Sequence, residues 1–140
     1  NNHDSLIFEE YISGKELTSA VISQNNKLIA LDVTEIKTKN KYFDYKAKYT
    51  KGFSKHILPA KISKKNYNKC LNYALKAHKI LKCNSISRSD FIYSSSKDKI
   101  YYLETNTQPG MTKLSLVPEQ AKFNKISFEK IILELLINAK

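Results

Sequence analysis

The chain has 140 residues, of which 41% are apolar and 11% aromatic; that is one domain's length with apolar matter enough for a core, and it excludes wholesale disorder. The formal net charge is +11, yet 23 of the 24 basic residues are lysines spread along the chain and Arg88 is the one arginine, a compositional bias on a solvated surface that makes a nucleic-acid partner unexpected. The longest apolar run, residues 131–137, is broken by Glu134 and falls well short of the roughly 18 residues a membrane-spanning helix needs, so no membrane partner is expected.

The chain opens on Asn1 without a basic-then-apolar leader, and reads as a processed chain or a piece of a longer one. Residues 6–12 (LIFEEYI) and 16–23 (ELTSAVIS) are β-like runs joined by Ser13-Gly14-Lys15, a hairpin signal. After an Asn25-Asn26 turn, residues 28–36 form a third strand, and residues 42–49 are too polar for a core strand and belong to a lysine-rich connection. Ile57-Leu58-Pro59 reads as a short edge strand. From Ser63, a candidate N-cap, the period changes: Tyr67, Leu71, Ala74, His78 and Leu81 share one helical stripe. Cys70 falls within it as a small buried hydrophobe, and Cys70 and Cys83 have neither the spacing of a zinc site nor that of a disulfide scaffold, which suits a reducing, cytoplasmic compartment.

Residues 85–94 and 99–106 read as two strands around a polar turn at 95–98. Residues 107–117 are a loop, followed by a short helix that starts with Pro118 at its first position and runs to about 124. Ser127 caps a last helix whose apolar face is Phe128, Ile131, Ile132, Leu135 and Leu136. The sum is about six strands, mostly hairpin-joined, with helices grouped later: an α+β fold, an antiparallel sheet flanked by helices.

The paired strands around residue 97 carry the chemistry. A turn centred on Lys97 sets Asp90 opposite Glu104 and Arg88 opposite Asn106, all on one face, with Phe91, Tyr93, Tyr101 and Leu103 on the other. Opposed carboxylates about 4.5–5.5 Å apart at Cβ repel and need a partner. A divalent cation is one answer, and an all-oxygen set of Asp, Glu and Asn suits Mg²⁺ or Mn²⁺ better than zinc. Arg88 beside it could stabilise developing negative charge. On spacing alone, a solvated sheet face with an Arg88–Asp90 salt bridge outweighs the metal site. Elsewhere, Glu9, Glu10 and Glu16 read as edge-strand solubility, and Lys48 and Tyr49 as parts of a surface loop. The turn 109–112 followed by Ser115 is a plain turn or a backbone anion site. His3, His56 and His78 share no motif, and His78 is structural.

Four segments in order, EEYISGKELT at 9–18, FDYKAKY at 43–49, SRSDF at 87–91 and LETNTQPGMT at 103–112 running into SLVP at 115–118, resemble the C-terminal ATP-grasp region of D-alanine–D-alanine ligases. The last is the most specific, and it reverses the preference for a bare salt bridge. The resemblance implies an ATP-grasp C-terminal lobe over residues 1–140, a fragment of a longer cytoplasmic, homodimeric ligase that joins two D-alanines through an acyl phosphate for peptidoglycan precursors. Asp90, Glu104 and Asn106 would hold two Mg²⁺ or Mn²⁺ ions, with Glu104 bridging. Arg88 and the Gly110 N–H would stabilise the oxyanion, and Ser115 and Leu116 would hold the second D-alanine's carboxylate. Glu9, Glu10, Tyr11 and Ile12 would line the adenine pocket and Glu16 would take the ribose hydroxyls. Lys48 would reach the ATP phosphates from a closing loop, with Tyr49 bonding toward another domain.

There are departures. Tyr42-Phe43-Asp44-Tyr45 stands where the family usually has Phe-Tyr-Asp-Tyr, so a hydroxyl at 43 is lost; Glu10 replaces a common lysine and Leu114 a common histidine. The N-terminal and central lobes are absent from these residues, which implies that the chain is inactive alone and exposes a face prone to self-association. The alternatives are a related ligase with another second substrate such as D-lactate, a basic nucleic-acid-binding module, and a non-catalytic remnant.

Overall fold

The computed structural model describes residues 7–25, 27–38 and 54–139. Among them, five strands form one antiparallel sheet: β1 (Lys15–Gln24), β2 (Lys27–Thr38), β3 (Ser54–Ile57), β4 (Ile86–Ser94) and β5 (Lys99–Asn106), in the order β3-β2-β1-β4-β5. Three helices flank it: α1 (Lys64–Ile80), α2 (Leu116–Phe123) and α3 (Phe128–Asn138). The α+β arrangement is the one the hydrophobic periods predict.

Because the central strands are covered on both faces, they have two cores. Leu17, Val21, Val33, Phe91 and Ile100 pack with Cys70 and Ala74 of α1. Ala20, Ile22, Leu31 and Ile86 pack with Val117 and Ala121 of α2 and Ile131 of α3. This two-sided burial is why the middle of β1 holds three consecutive apolar residues, Ala20, Val21 and Ile22, where a one-sided strand would alternate. No described helix is long and apolar enough to cross a membrane.

The first predicted strand does not form. Residues 7–12 have no strand structure, and Ile7 and Phe8 are 88% and 90% exposed. Both edges of β1 are taken, by β2 and β4, so no ladder is open to a preceding strand. Gly14 is needed for a different reason than a hairpin turn: a Cβ there would collide with the Tyr93 carbonyl and lie 2.7 Å from Ile92 Cγ2.

Other boundaries move less. Gln24 pairs with Lys27, and Asn25 takes the left-handed φ of 50° that a tight turn asks for. The edge strand ends at Ile57 and does not include Leu58-Pro59. Ser63 caps α1 through its hydroxyl, which accepts the Asn66 N–H at 3.3 Å. α2 begins at Leu116, two residues before Pro118; a proline at the third helical position still costs nothing, since that N–H has no intrahelical acceptor. In α3, Ile131 is buried and Leu135 packs against it, but Leu136 is exposed, so the buried stripe is narrower than the apolar one. Residues 42–49, including Lys48 and Tyr49, lie outside the described residues.

The β1–β2 ladder carries a bulge: Ser19 pairs with Val33 but Val21 with Ala30. Side chains take up the backbone groups around it. Ser19 Oγ donates to the Leu31 carbonyl (2.9 Å) and Tyr67 OH accepts the Val33 N–H (2.9 Å) while donating to Asp32. Burial and the Asp32 carboxylate push the Tyr67 hydroxyl well above the ordinary phenol range. Gln120 of α2 supplies the rest: Oε1 accepts the Ala20 N–H at 2.9 Å, and Nε2 donates to the Thr18 carbonyl at 3.1 Å and to Thr34 Oγ1 at 3.0 Å.

Candidate active site

On the sheet face toward α2, β4 presents Ile86, Arg88 and Asp90. Opposite it, β5 carries a second bulge. Near the turn, Tyr93 pairs with Ile100 and Phe91 with Tyr102; past it, Asp90 pairs with Glu104 and Arg88 with Asn106. Leu103 is the extra residue and is 51% exposed. The turn-side register alone would set Asp90 against Leu103 and send Glu104 to the α1 face. The bulge sets the two acidic residues opposite each other, so the predicted pairing holds although the predicted single register does not. It also corrects the other face: Phe91 and Tyr93 lie in the α1 core as expected, joined by Ile100, whereas Tyr101 is on the opposite face and Leu103 is in the bulge.

The Asp90 carboxylate is tightly held. Arg88 grips it with a fork, Nε to Oδ1 at 3.0 Å and Nη2 to Oδ2 at 2.8 Å, and both side chains are mostly buried (16% and 23% exposed). From the facing position on β1, Thr18 Oγ1 lies 2.6 Å from the same Oδ1 and 3.2 Å from the Ser89 carbonyl. The salt bridge foreseen from spacing is thus present, inside the same constellation as the candidate metal ligands.

Asn106 Oδ1 accepts the Gln108 N–H at 2.9 Å, an Asx-type turn that opens the loop leading to Gly110. At Gly110 a Cβ would sit 3.0 Å from Ser115 Oγ, so the missing side chain lets the loop backbone lie against Ser115. Ser115 stands at the N-cap of α2 without capping it. Its Oγ instead accepts the Thr112 N–H (3.0 Å) and meets the Thr112 hydroxyl (2.9 Å), closing the loop on itself. Leu116 is the first helical residue.

Glu16 lies two residues before Thr18, half-buried on the same face, about 6.6 Å along β1. Glu9, Glu10 and Tyr11 are exposed and Ile12 half-buried on the segment that enters β1; Glu10 reaches Lys97 in the β4–β5 turn at 3.7 Å. The predicted residues are therefore strung along the strands in one order. Glu9 to Ile12 lie toward the turn end, Glu16, Asp90 and Glu104 follow, then Arg88 and Asn106, and last Gly110, Ser115 and Leu116.

As a metal-binding set, Asp90, Glu104 and Asn106 offer oxygen alone and two acids, fewer than the three or more His, Cys, Asp or Glu of a protein-enclosed metal site, of which the described residues hold none. That donor set fits Mg²⁺, which takes few protein ligands and completes its shell with water and phosphate. The residues that sequence reasoning missed are Thr18 and Gln120. Thr18 could have been found by its shared alternation with Glu16; nothing in the sequence marks Gln120.

Residues 1–137 match the family model described as D-ala D-ala ligase C-terminus. The chain is 49% identical over 130 residues to the D-alanine–D-alanine ligase of Wolbachia sp. subsp. Brugia malayi, covering 92% of this chain and 37% of that protein. Among solved structures it is similar to D-alanyl-alanine synthetase A from Vibrio cholerae (TM-score 0.80, 26% identity, 93% of this chain and 40% of that one). It is also similar to the VanG D-Ala:D-Ser ligase from Enterococcus faecalis (TM-score 0.74, 35% identity, 91% and 36%). The chain spans about 40% of the length of the curated relatives it matches. With the acid hairpin, the loop and the ATP-grasp sheet in place, it belongs to the D-alanine–D-alanine ligase C-terminal family.

Proposed function

We propose that residues 1–140 are the C-terminal catalytic lobe of an ATP-dependent ligase that forms D-alanyl-D-alanine for cell-wall precursors in the cytoplasm. N-terminal and central lobes would complete the homodimeric enzyme. The observation that carries this is the bulge-set pair Asp90–Glu104 beside Arg88 on a polar sheet face, in line with an exposed nucleotide-side segment at one end and the Gly110–Ser115 loop at the other.

That order matches a substrate laid along the strands. Glu9 to Ile12 line the adenine and Glu16 takes the ribose hydroxyls. Asp90, Glu104 and Asn106 hold the divalent ions, which when bound neutralise the ATP phosphates and the acyl phosphate made from the first D-alanine. Arg88, fixed on Asp90, presents its guanidinium to the oxyanion that forms as the second D-alanine's amine attacks, and the Gly110 N–H is the second donor. Ser115 and Leu116, at the positive end of α2, take the second D-alanine's carboxylate. By the resemblance, Lys48 takes the ATP phosphates and Tyr49 bonds toward another domain.

In the full-length enzyme, Glu104→Gln is expected to abolish metal-dependent, D-alanine-stimulated phosphate release while the circular dichroism spectrum is unchanged. Wild-type turnover in that variant contradicts the assignment. A second reading, a different second substrate, is favoured by the likeness to a protein named as a D-Ala:D-Ser ligase. Competition between D-alanine, D-serine and D-lactate for the second position separates the two.

A further inference from the structure

We propose that Thr18 is a positioning residue for Asp90 and that Gln120 fixes Thr18 in turn; this rests on the reading of Asp90 as a metal-binding carboxylate. A carboxylate offers about four acceptor positions. Arg88 Nε and Thr18 Oγ1 occupy Oδ1, and Arg88 Nη2 takes one position on Oδ2. Among the described residues one position is left, on Oδ2, and it is the one a cation would take. Arg88 alone is a long, many-rotamer tether from the same strand. Thr18 is short, β-branched and fully buried on the neighbouring strand, so its hydroxyl is a fixed point.

The Thr18 backbone is fixed as well. The Gln120 carboxamide bridges the Thr18 carbonyl and the Ala20 N–H, bracketing the residue from both sides. Gln120 is itself fully buried, on the helix whose first turn holds Ser115 and Leu116. One buried chain, Gln120 to Thr18 to Asp90 to Arg88, ties the proposed amino-acid end of the site to the metal end. Outer partners of this kind set ligand orientation, and their loss costs about 10–100-fold in metal affinity or activity.

The test is Mn²⁺ affinity in the presence of ATP, read by electron paramagnetic resonance on the full-length enzyme, alongside kcat and KM. Thr18→Val is expected to weaken Mn²⁺ binding about 10–100-fold and to raise KM for the metal nucleotide while leaving KM for D-alanine near wild type. Thr18→Ser, which keeps the hydroxyl, is expected to recover most of the loss. Should Thr18→Val not fold, Thr18→Cys keeps the size with a weaker donor and gives the same comparison. Wild-type Mn²⁺ affinity in a folded Thr18→Val or Thr18→Cys protein, while Glu104→Gln loses it, overturns the positioning role. A loss that Thr18→Ser leaves unrestored overturns it too, since packing and not the hydroxyl would be responsible. A wild-type enzyme that binds no Mn²⁺ with ATP overturns the reading of the site instead.

Discussion

Replacing Gln120 with leucine keeps the volume of a fully buried side chain and removes a carboxamide that acts as a stand-in peptide group. Three partners are then stranded in the interior: the Ala20 N–H, the Thr18 carbonyl and the Thr34 hydroxyl. Each unsatisfied buried group costs about 1–3 kcal/mol. Thr34 can rotate its hydroxyl, so the backbone pair dominates and the expected loss is about 3–5 kcal/mol, a large share of the about 5–15 kcal/mol that holds a domain together. At about 3–4 °C per kcal/mol for a chain of this size, the melting temperature drops by roughly 9–20 °C. Urea unfolding of the chain followed by circular dichroism reads this directly, with an unchanged m-value. A Gln120→Leu loss below about 1 kcal/mol refutes the reasoning. Gln120→Glu is a companion probe: it keeps the acceptor for Ala20 but points a carboxylate at the Thr18 carbonyl, so its deficit shrinks as acid protonates it and restores an O–H donor.

α1 and α2 both end in Schellman motifs with a lysine in the left-handed position, Lys82 at φ 52° and Lys125 at φ 60°. Lys82→Gly and Lys125→Gly each remove about 1–2 kcal/mol of strain, less the extra flexibility of an unfolded glycine, so each variant is expected to gain about 0.5–1 kcal/mol in thermal melts. Buried His78, bonded to Ser87 at 2.8 Å, is held below its usual pKa by burial, so the folded chain takes up this proton less readily than the unfolded one. The unfolded chain binds the extra proton, so stability is full above about pH 6.5 and declines as pH falls below it. His78→Gln is expected to flatten that slope in urea titrations at pH 7.5, 6.5 and 5.5, and an equal slope contradicts the prediction. Deleting Leu103 removes the β5 bulge but brings Glu104 directly after Tyr102, still opposite Asp90 on the same face; metal-dependent phosphate release by the full-length enzyme is expected to persist, and its loss in a folded variant contradicts the register argument.

The helices and the long strands were legible because their periods are strong and their caps local: Ser63 and Ser127 mark their helices at the residue. The segment 7–12 misled because its alternation is real, while strand formation depends on a free sheet edge, which only the complete topology reveals. The acid pair was found from the turn between β4 and β5. Its actual cause, the bulge at Leu103, leaves no mark in a sequence without a glycine there. Asp90, Glu104, Arg88 and Asn106 were recoverable because charged residues with period two in a strand share a face. Gln120 was not, because its partners lie 86–102 residues away, two of them backbone groups of β1 beside the β1–β2 bulge.

The most direct measurement is anomalous diffraction from crystals of the full-length protein grown with Mn²⁺ and a non-hydrolysable ATP analogue. The account predicts manganese peaks within bonding distance of Asp90 Oδ2, Glu104 and the Asn106 side chain, with the nucleotide phosphates on the same face of the sheet. Manganese bound elsewhere with the nucleotide in place, or phosphates on the α1 side, would contradict it.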